Sequence, residues 1–488
     1  MNSARTKFYK PALLALAAVF FLIVAQMQSS LNRERQKLGF TRGALLDNAP
    51  PVLQFTTVAL GGFRGLIANA LWIRASELQE EEKFFEMVQL ADWITKLEPH
   101  YVQVWLVQSW NMAYNISVKF KEPQDRWRWV QRGIELLRDD GLRYNPDETL
   151  IYRELSWFFQ HKMGQNLDDA HNFYKQAWAD QMQKLFGGRP NYAELLNPKT
   201  AAATERAKNL REKYKMDPQV MQEVDKLYGP LEWRLPDAHA IYWAELGRRK
   251  AKSKDQETLR RSIYQTMQQA FIRGGLTENK METNTFILGP NLEMVANCNK
   301  AYETMMAEDA SMRDHIKTGH RNFLLQAVYL LYVDSRKVEA VKWFKYLKEK
   351  YPDYFKQKYP GVGLGLTLDD YAIQQVTEEV GDTDVNKSTA VIKGYLRSSF
   401  IRYALDEDDQ AVNFEQMAQR IWARFQSKIS GAEGRIGLRP MSELKKIVRD
   451  EVFDPERGLP PEFAARLRTK LNLPAPTNAP SASVHSPK

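Results

Sequence analysis

The sequence predicts an all-α protein built of paired helices, with one apolar segment at its N-terminus that reads as a membrane anchor. Apolar residues recur at helical spacing over Ala75 to Leu97, Val102 to Val118, Arg126 to Leu137, Thr149 to Met163, Leu167 to Leu185 and Asn322 to Lys350. Between such stretches stand short turn-forming strings: "EPHY", "KEPQD", "YNPDE", "KMGQNLD", "RLPDA" and "KYPDY". Runs of β-branched alternation are few. Helices joined by short turns pack as antiparallel neighbours, so the expected unit is a helical hairpin.

The first element is the apolar segment. A basic start (Arg5, Lys7, Lys10) leads into an uncharged stretch from Pro11 to Ser30, whose core, Ala12 to Ala25, is almost wholly apolar. After Ala25 come Gln26, Met27 and Gln28, which offer no small-x-small cleavage site. The segment therefore predicts an uncleaved signal anchor. The first ten residues hold no acid, whereas Glu34 stands beyond the apolar run, which tips the N-terminus towards the cytoplasm and the rest of the chain away from it.

A second apolar stretch, Val52 to Ile73, is about 20 residues long and thus long enough to cross a bilayer. Arg64 near its middle opposes insertion by roughly 2.5–3.5 kcal/mol, and Gln54, Thr56, Thr57 and Asn69 weaken it further. The amphipathic string after it, "FFEMVQLADWITKLEP", reads as the second helix of a hairpin. The segment from Val58 is then that hairpin's first helix, with Gly61, Gly62 and Gly65 permitting close approach and Arg64 reaching a carboxylate or a lipid phosphate.

The turns have a register. Pro99 is followed six residues later by Trp105, Pro146 by Tyr152 and Pro236 by Tyr242, each proline following a helix-end pattern such as "WITKLEP" or "EWRLP". Tyr152, Leu155, Ser156 and Phe159, then Ala170, Tyr174 and Ala177, match the two halves of a helical hairpin repeat, as do Trp243, Leu246 and Gly247 in "YWAELG" and Ala340, Phe344 and Pro352 in "EAVKWFKYLKEKYP". On these residues the chain resembles the tetratricopeptide repeat, a helix-turn-helix of about 34 residues. Its repeats are degenerate, Pro99 and Pro146 standing 47 residues apart. The resemblance is to membrane-anchored bacterial proteins with such repeats, and it implies a solenoid, a TPR-like superhelix with a concave face for protein or peptide partners.

The expected organisation is a cytoplasmic start and anchor (1–30), a linker (31–57), N-terminal helical pairs (58–185), an irregular polar insert (186–235), further pairs (236–395), capping helices (396–473) and a Pro/Ser/Ala tail (474–488) expected to be disordered. Residues 276–295 form a second irregular connection. Insertions in a solenoid project from one face and carry partner contacts.

Composition bounds the chemistry. Hydrophobic residues at 44% and charged residues at 26% suit a folded protein, and 12 Trp, 21 Tyr and 23 Phe supply large side chains for helix interfaces. The formal charge is +9, with basic clusters at "RRKAKSK" (Arg248 to Lys254) and "RAKNLREKYK" (Arg206 to Lys215), but Glu and Asp are interleaved through most of the chain, so these runs read as solvated helix faces and no nucleic-acid partner is expected. The one cysteine, Cys298, excludes an intramolecular disulfide and any multi-cysteine metal site.

Catalytic motifs are absent from the sequence: there is no G-x-S-x-G, phosphate loop or H-E-x-x-H. His161 and His171 flank Asp168 and Asp169, but a spacing across a turn fixes no metal geometry. Asp139 and Asp140 are adjacent on a helix and point about 100° apart, which does not suit a paired-carboxylate mechanism. The aromatic residues Trp127, Trp129, Tyr144, Tyr152, Trp157 and Phe158 read as core. No catalytic, cofactor-binding or metal-ligating residue is assigned. The expected role is a scaffold in a bacterial envelope assembly of the secretion, pilus or transport type, anchored in the inner membrane with its bulk periplasmic. The alternative is an α/α-toroid enzyme acting on glycans.

Overall fold

The computed structural model describes residues 64–278, 286–380, 385–428 and 437–474, with scattered residues between 15 and 34 that are helical. Among the described residues no helix is long and apolar enough to cross a membrane. Most of the expected anchor, Ala12 to Ala25, lies outside them, as do Gly61, Gly62, the side chain of Arg64 and the tail after Pro474. The chain forms two compact units, Met1–Ile151 and Tyr152–Lys488.

In the first unit α1 (Arg64–Glu80) and α2 (Phe84–Leu97) form the expected hairpin, followed by α3 (Val102–Trp110) and α4 (Pro123–Glu135). Ala68, Ala91, Ile94 and Val104 make one buried cluster, against which Leu71 and Trp72 pack, and Ala75, Leu78 and Met87 make another. Small residues at 68, 75 and 91 let the helices approach, in keeping with the apolar periodicity. The Pro99-to-Trp105 spacing has a cause in hydrogen bonding. The Pro99 carbonyl accepts from Trp105 Nε1 at 2.9 Å and from Asn145 Nδ2 at 2.9 Å, so this turn is tied to both sides of its neighbourhood. Both α3 and α4 run on into π-helical turns, Asn111–Ile116 and Leu136–Gly141. The helices touch at Gly133, where a Cβ would sit 2.9 Å from the Ser109 carbonyl oxygen.

A continuous helix over Ala75 to Leu97 is not what forms. The chain reverses at Glu81–Lys83, with Glu82 in the left-handed region (φ 56). The Lys83 amide donates to the Leu78 carbonyl at 2.8 Å and the Glu82 amide to the Gln79 carbonyl at 3.1 Å, which is the Schellman closure of a helix C-terminus. Glutamate stands where glycine is usual, so the sequence carried no punctuation there.

In the second unit α5 (Thr149–Trp157, continuing across the boundary into a π-turn at Phe158–Met163) is followed by α6 (His171–Phe186). The stretch 186–235, expected to be irregular, holds three short helices: α7 (Tyr192–Leu196), α8 (Ala201–Glu212) and α9 (Pro218–Tyr228). Each has a side-chain N-cap, from Asn191, Thr200 and Asp217 respectively, which satisfies amides that would otherwise lack partners. "EWRLP" is not a helix end but a turn holding the buried Trp233, after which Pro236 opens α10 (Pro236–Lys250). Next come α11 (Ser253–Arg273) and an antiparallel hairpin, β1 (Gly275–Glu278) with β2 (Phe286–Gly289), Leu276 facing Leu288. This hairpin occupies the second stretch expected to be irregular.

The remaining helices are α12 (Val295–Glu308), α13 (Arg313–Val333), α14 (Lys337–Lys350), α15 (Pro352–Lys358), α16 (Leu368–Val380), α17 (Val385–Ala404), α18 (Asp408–Lys428), α19 (Met441–Val452) and α20 (Pro461–Lys470). The expected helix Asn322 to Lys350 is divided in the same way as the first one. Ser335 (φ 65) separates α13 from α14, and the Arg336 and Ser335 amides donate to the Leu331 and Tyr332 carbonyls. Asp406 (φ 63) does the same between α17 and α18, where the Glu407 and Asp406 amides donate to Arg402 and Tyr403.

The positions that carry the repeat resemblance are core positions. Leu155, Tyr174, Trp243, Ala340 and Phe344 are buried, and a Cβ on Gly247 would lie 2.7 Å from the Tyr152 Cβ, so only glycine allows this approach. A buried polar network around His320 joins α12, α13 and the turn between α14 and α15. Its Nε2 donates to Asn299 Oδ1 at 2.8 Å and its Nδ1 accepts from the Tyr351 hydroxyl at 2.7 Å. Burial pushes this imidazole down to about 4 from its ordinary 6.5.

Two predictions follow from the turns and the network. Ser335→Gly removes the left-handed strain, worth about 1–2 kcal/mol for a residue with a Cβ, against about 0.5–1 kcal/mol of extra unfolded-state entropy. Denaturant unfolding is expected to show Ser335→Gly neutral to slightly stabilised and Ser335→Val destabilised by about 1–3 kcal/mol. Equal midpoints for the two variants would refute the strained turn. For His320 the unfolded chain takes a proton below about pH 6.5 and the folded one only below about 4, so protonation favours unfolding. The stabilising difference, about 3 kcal/mol, is full above pH 6.5 and is lost as pH falls to 4. His320→Gln is expected to flatten the stability profile over that interval, measured by urea unfolding at each pH.

Candidate functional site

The residues singled out by sequence do not converge. His161 stacks on Trp157, with ring centroids 4.4 Å apart, while His171 Nδ1 lies 2.9 Å from Lys175 Nζ. The Asp168 carboxylate takes the Lys162 ammonium at 2.6 Å and the Ala170 amide at 2.9 Å. Among the described residues no group of three or more His, Cys, Asp or Glu is placed to hold a metal ion. Asp139 is held by the neighbouring Arg138 in a two-pronged ion pair at 2.7 Å, and burial raises the carboxyl of Asp140 above its usual range. The aromatic segment is divided between the two units. Trp129 packs with Phe85 and Phe120, and Tyr144 stacks on Trp105, in the first; Tyr152 meets Trp243, and Phe158 is buried, in the second.

Beside these lies a polar network at the end of the π-turn. Lys175 Nζ contacts Asn166 Oδ1 at 2.9 Å as well as His171, and Arg273 holds the buried Asp237 at 3.2 Å. Burial, with Arg273 next, pulls the Lys175 ammonium down to about 8, and burial raises Asp237. A lowered lysine of this kind marks reactive sites in some proteins. Here each head group is engaged by a neighbour, so the network holds the loop after Gly164 in place.

Three arginines of the basic runs are paired locally. Arg248 and Arg249 converge on the buried Glu245, at 2.7 Å and 3.0 Å, and Arg249 also reaches Glu223 at 2.8 Å. Arg206 pairs with Glu194. Cys298 is buried, and burial pushes its thiol up, away from the reactive thiolate.

What does converge is a cavity of about 540 Å3 in the second unit, within the usual range for ligand sites. Its walls come from four separate stretches. Arg189 lies just beyond α6, at the start of the first insert; Leu276, Ile287 and Gly289 belong to the β-hairpin, with Glu293 just beyond; Asp334 and Arg336 form the α13–α14 turn; and Ser398, Ile401, Arg402, Leu405, Glu407, Gln410 and Phe414 come from the α17–α18 hairpin. The two Schellman turns at Ser335 and Asp406 thus supply two walls.

Its electrostatics are mixed. Arg336 pairs with Glu293 and lies 3.7 Å from Asp334 and 3.6 Å from Glu339, while Arg402 pairs with Glu407. Burial raises the Asp334 carboxyl, an effect that Arg336 and Arg402 partly offset. Arg189, Ser398 and Gln410 line the same space and make no hydrogen bond or ion pair with the described residues. Apolar contact is offered by Leu276, Ile287, Ile401, Leu405 and Phe414, with Ile287 more than half exposed. The lining thus combines apolar side chains with three carboxylates and three guanidinium groups.

Sequence reasoning singled out the two inserts as carriers of partner contacts and missed the two turns. The signal in the turns was slight: "DSRK" and "LDED" are polar breaks without glycine or proline. Comparison with known protein families, with curated proteins and with solved structures finds no match.

Proposed function

We propose that this chain is a membrane-anchored helical scaffold of the TPR-like kind, its bulk on the periplasmic side of a bacterial inner membrane, and that the cavity of the second unit receives a segment of a partner protein. The observation that carries this reading is the convergence of both sequence inserts and two helix turns on one cavity whose Arg189, Ser398 and Gln410 have donors and acceptors to offer. Stacked helical hairpins present such surfaces without covalent chemistry.

The membrane part of the reading rests on the apolar N-terminal segment. In its support, Leu16, Phe20, Val24 and Met27 are helical and exposed, as lipid-facing residues are. The hairpin α1–α2 supports a single crossing, because the described end of the second apolar stretch, from Arg64 on, belongs to a helix packed on α2 through Ala68.

Crosslinking in membranes followed by purification of the full-length protein is the direct test. A discrete protein partner is expected, and Arg189→Glu and Leu405→Glu are each expected to reduce its recovery by about tenfold, the equivalent of about 1.4 kcal/mol. Undiminished recovery with both variants would remove the cavity from the reading. Reporter fusions after residue 45 and after residue 90 are expected to report the same compartment, and opposite compartments would overturn the single crossing.

A further inference from the structure

We propose that the cavity has an occupant within the chain itself, the segment 475–488, which would seat there in competition with a partner; this rests on the reading of the cavity as a docking site. The described chain ends at residue 474, just after a helix held to one of the turns that wall the cavity. Helix α20 is clamped to the α17–α18 turn: Lys470 Nζ reaches Asp408 at 2.8 Å and Asp406 at 3.1 Å, and Arg466 reaches Asp406 at 3.2 Å and the Ala404 carbonyl at 3.3 Å. Residues of that same turn, Arg402, Leu405 and Glu407, line the cavity. After α20 the chain reverses at Asn472 (φ 51), with the Leu473 amide donating to the Arg468 carbonyl at 2.9 Å. The segment "APTNAPSASVHSPK" that follows has 14 residues, a reach of about 43 Å when extended in the polyproline form.

Its chemistry suits the walls. Proline at 476, 480 and 487 disfavours helix and sheet, which leaves the backbone carbonyls and amides of an extended segment without internal partners. Arg189, whose guanidinium also acts electrostatically on Asp225, and Gln410 line the cavity with donors that make no hydrogen bond to the described residues. Val484 supplies an apolar side chain for Leu276 and Leu405. The segment holds no acid, so its entry leaves the Arg336–Glu293 and Arg402–Glu407 pairs intact. A tethered ligand also needs little intrinsic affinity, because a short linker holds it at about millimolar effective concentration.

The test uses the full-length protein with Val484→p-benzoylphenylalanine, irradiated at low concentration, and the adducts mapped by mass spectrometry. Adducts within one chain on peptides carrying Leu276 or Leu405 are expected, with a yield lowered by about tenfold in Arg189→Glu. Arg189 is exposed, so this variant keeps the fold; Leu405→Glu, checked by circular dichroism, is the second arm. Adducts scattered over the surface, adducts only between chains, or a yield indifferent to both variants would overturn the proposal. Partner recovery separates the two readings. If Arg189→Glu abolishes partner capture while no cavity adduct forms, the scaffold stands and the internal occupant falls. If the adduct forms but removal of 475–488 does not raise partner capture, competition falls.

Discussion

The second unit depends on helices being turned back within three residues by amino acids that disfavour the required backbone. Ser335 and Asp406 sit in the left-handed region, as do Glu82 in the first unit and Asn472 before the tail. A residue with a Cβ is disfavoured there by about 1–2 kcal/mol. Each position is over-determined by two backbone hydrogen bonds that satisfy otherwise orphaned carbonyls, and those at Glu82, Ser335 and Asp406 also by the burial of the hairpin that they close. The turn has little room to move without unpacking α13 from α14, or α17 from α18. That rigidity fixes the side chains on the turns, and Asp334, Arg336, Arg402, Leu405 and Glu407 become the walls of the cavity.

Charge is organised by the same geometry. A formal charge of +9 suggests a basic surface, yet the densest basic runs fold onto buried or nearby carboxylates, as Arg248 and Arg249 do on Glu245. Many of the other pairs are exposed, and exposed pairs contribute little to stability, about 0–1 kcal/mol. Arg189 makes no ion pair with the described residues and acts on Asp225 only through space, and it stands where apolar and polar side chains meet. The reading as a docking site thus follows from the remainder after local pairing, rather than from net charge.

Much of the fold was legible. Turn strings rich in proline and aspartate marked helix boundaries at Pro99, Pro146, Pro236 and Pro352, because proline cannot continue a helix and fits its first turn. The turns at Glu82 and Ser335 were not legible, because the usual sign of a left-handed cap is glycine and these positions hold glutamate and serine. The first insert was misjudged as irregular although its caps, Asn191, Thr200 and Asp217, were in plain view. Composition there outweighed capping. The histidines and aspartates of residues 161–171 show the same limit of local spacing, since Asp168 turns to Lys162 and His171 to Lys175.

By itself the sequence determined the predominantly helical character, the existence of a first hairpin, which it begins at Val58, and the positions of the two inserts, because helical periodicity and turn chemistry are local properties carried by neighbouring residues. The tertiary structure decided which of those parts meet. Arg189, Leu276, Arg336 and Phe414 share one cavity although long stretches of chain separate them. Contacts of that kind are set by the packing of whole hairpins, and no local pattern encodes them.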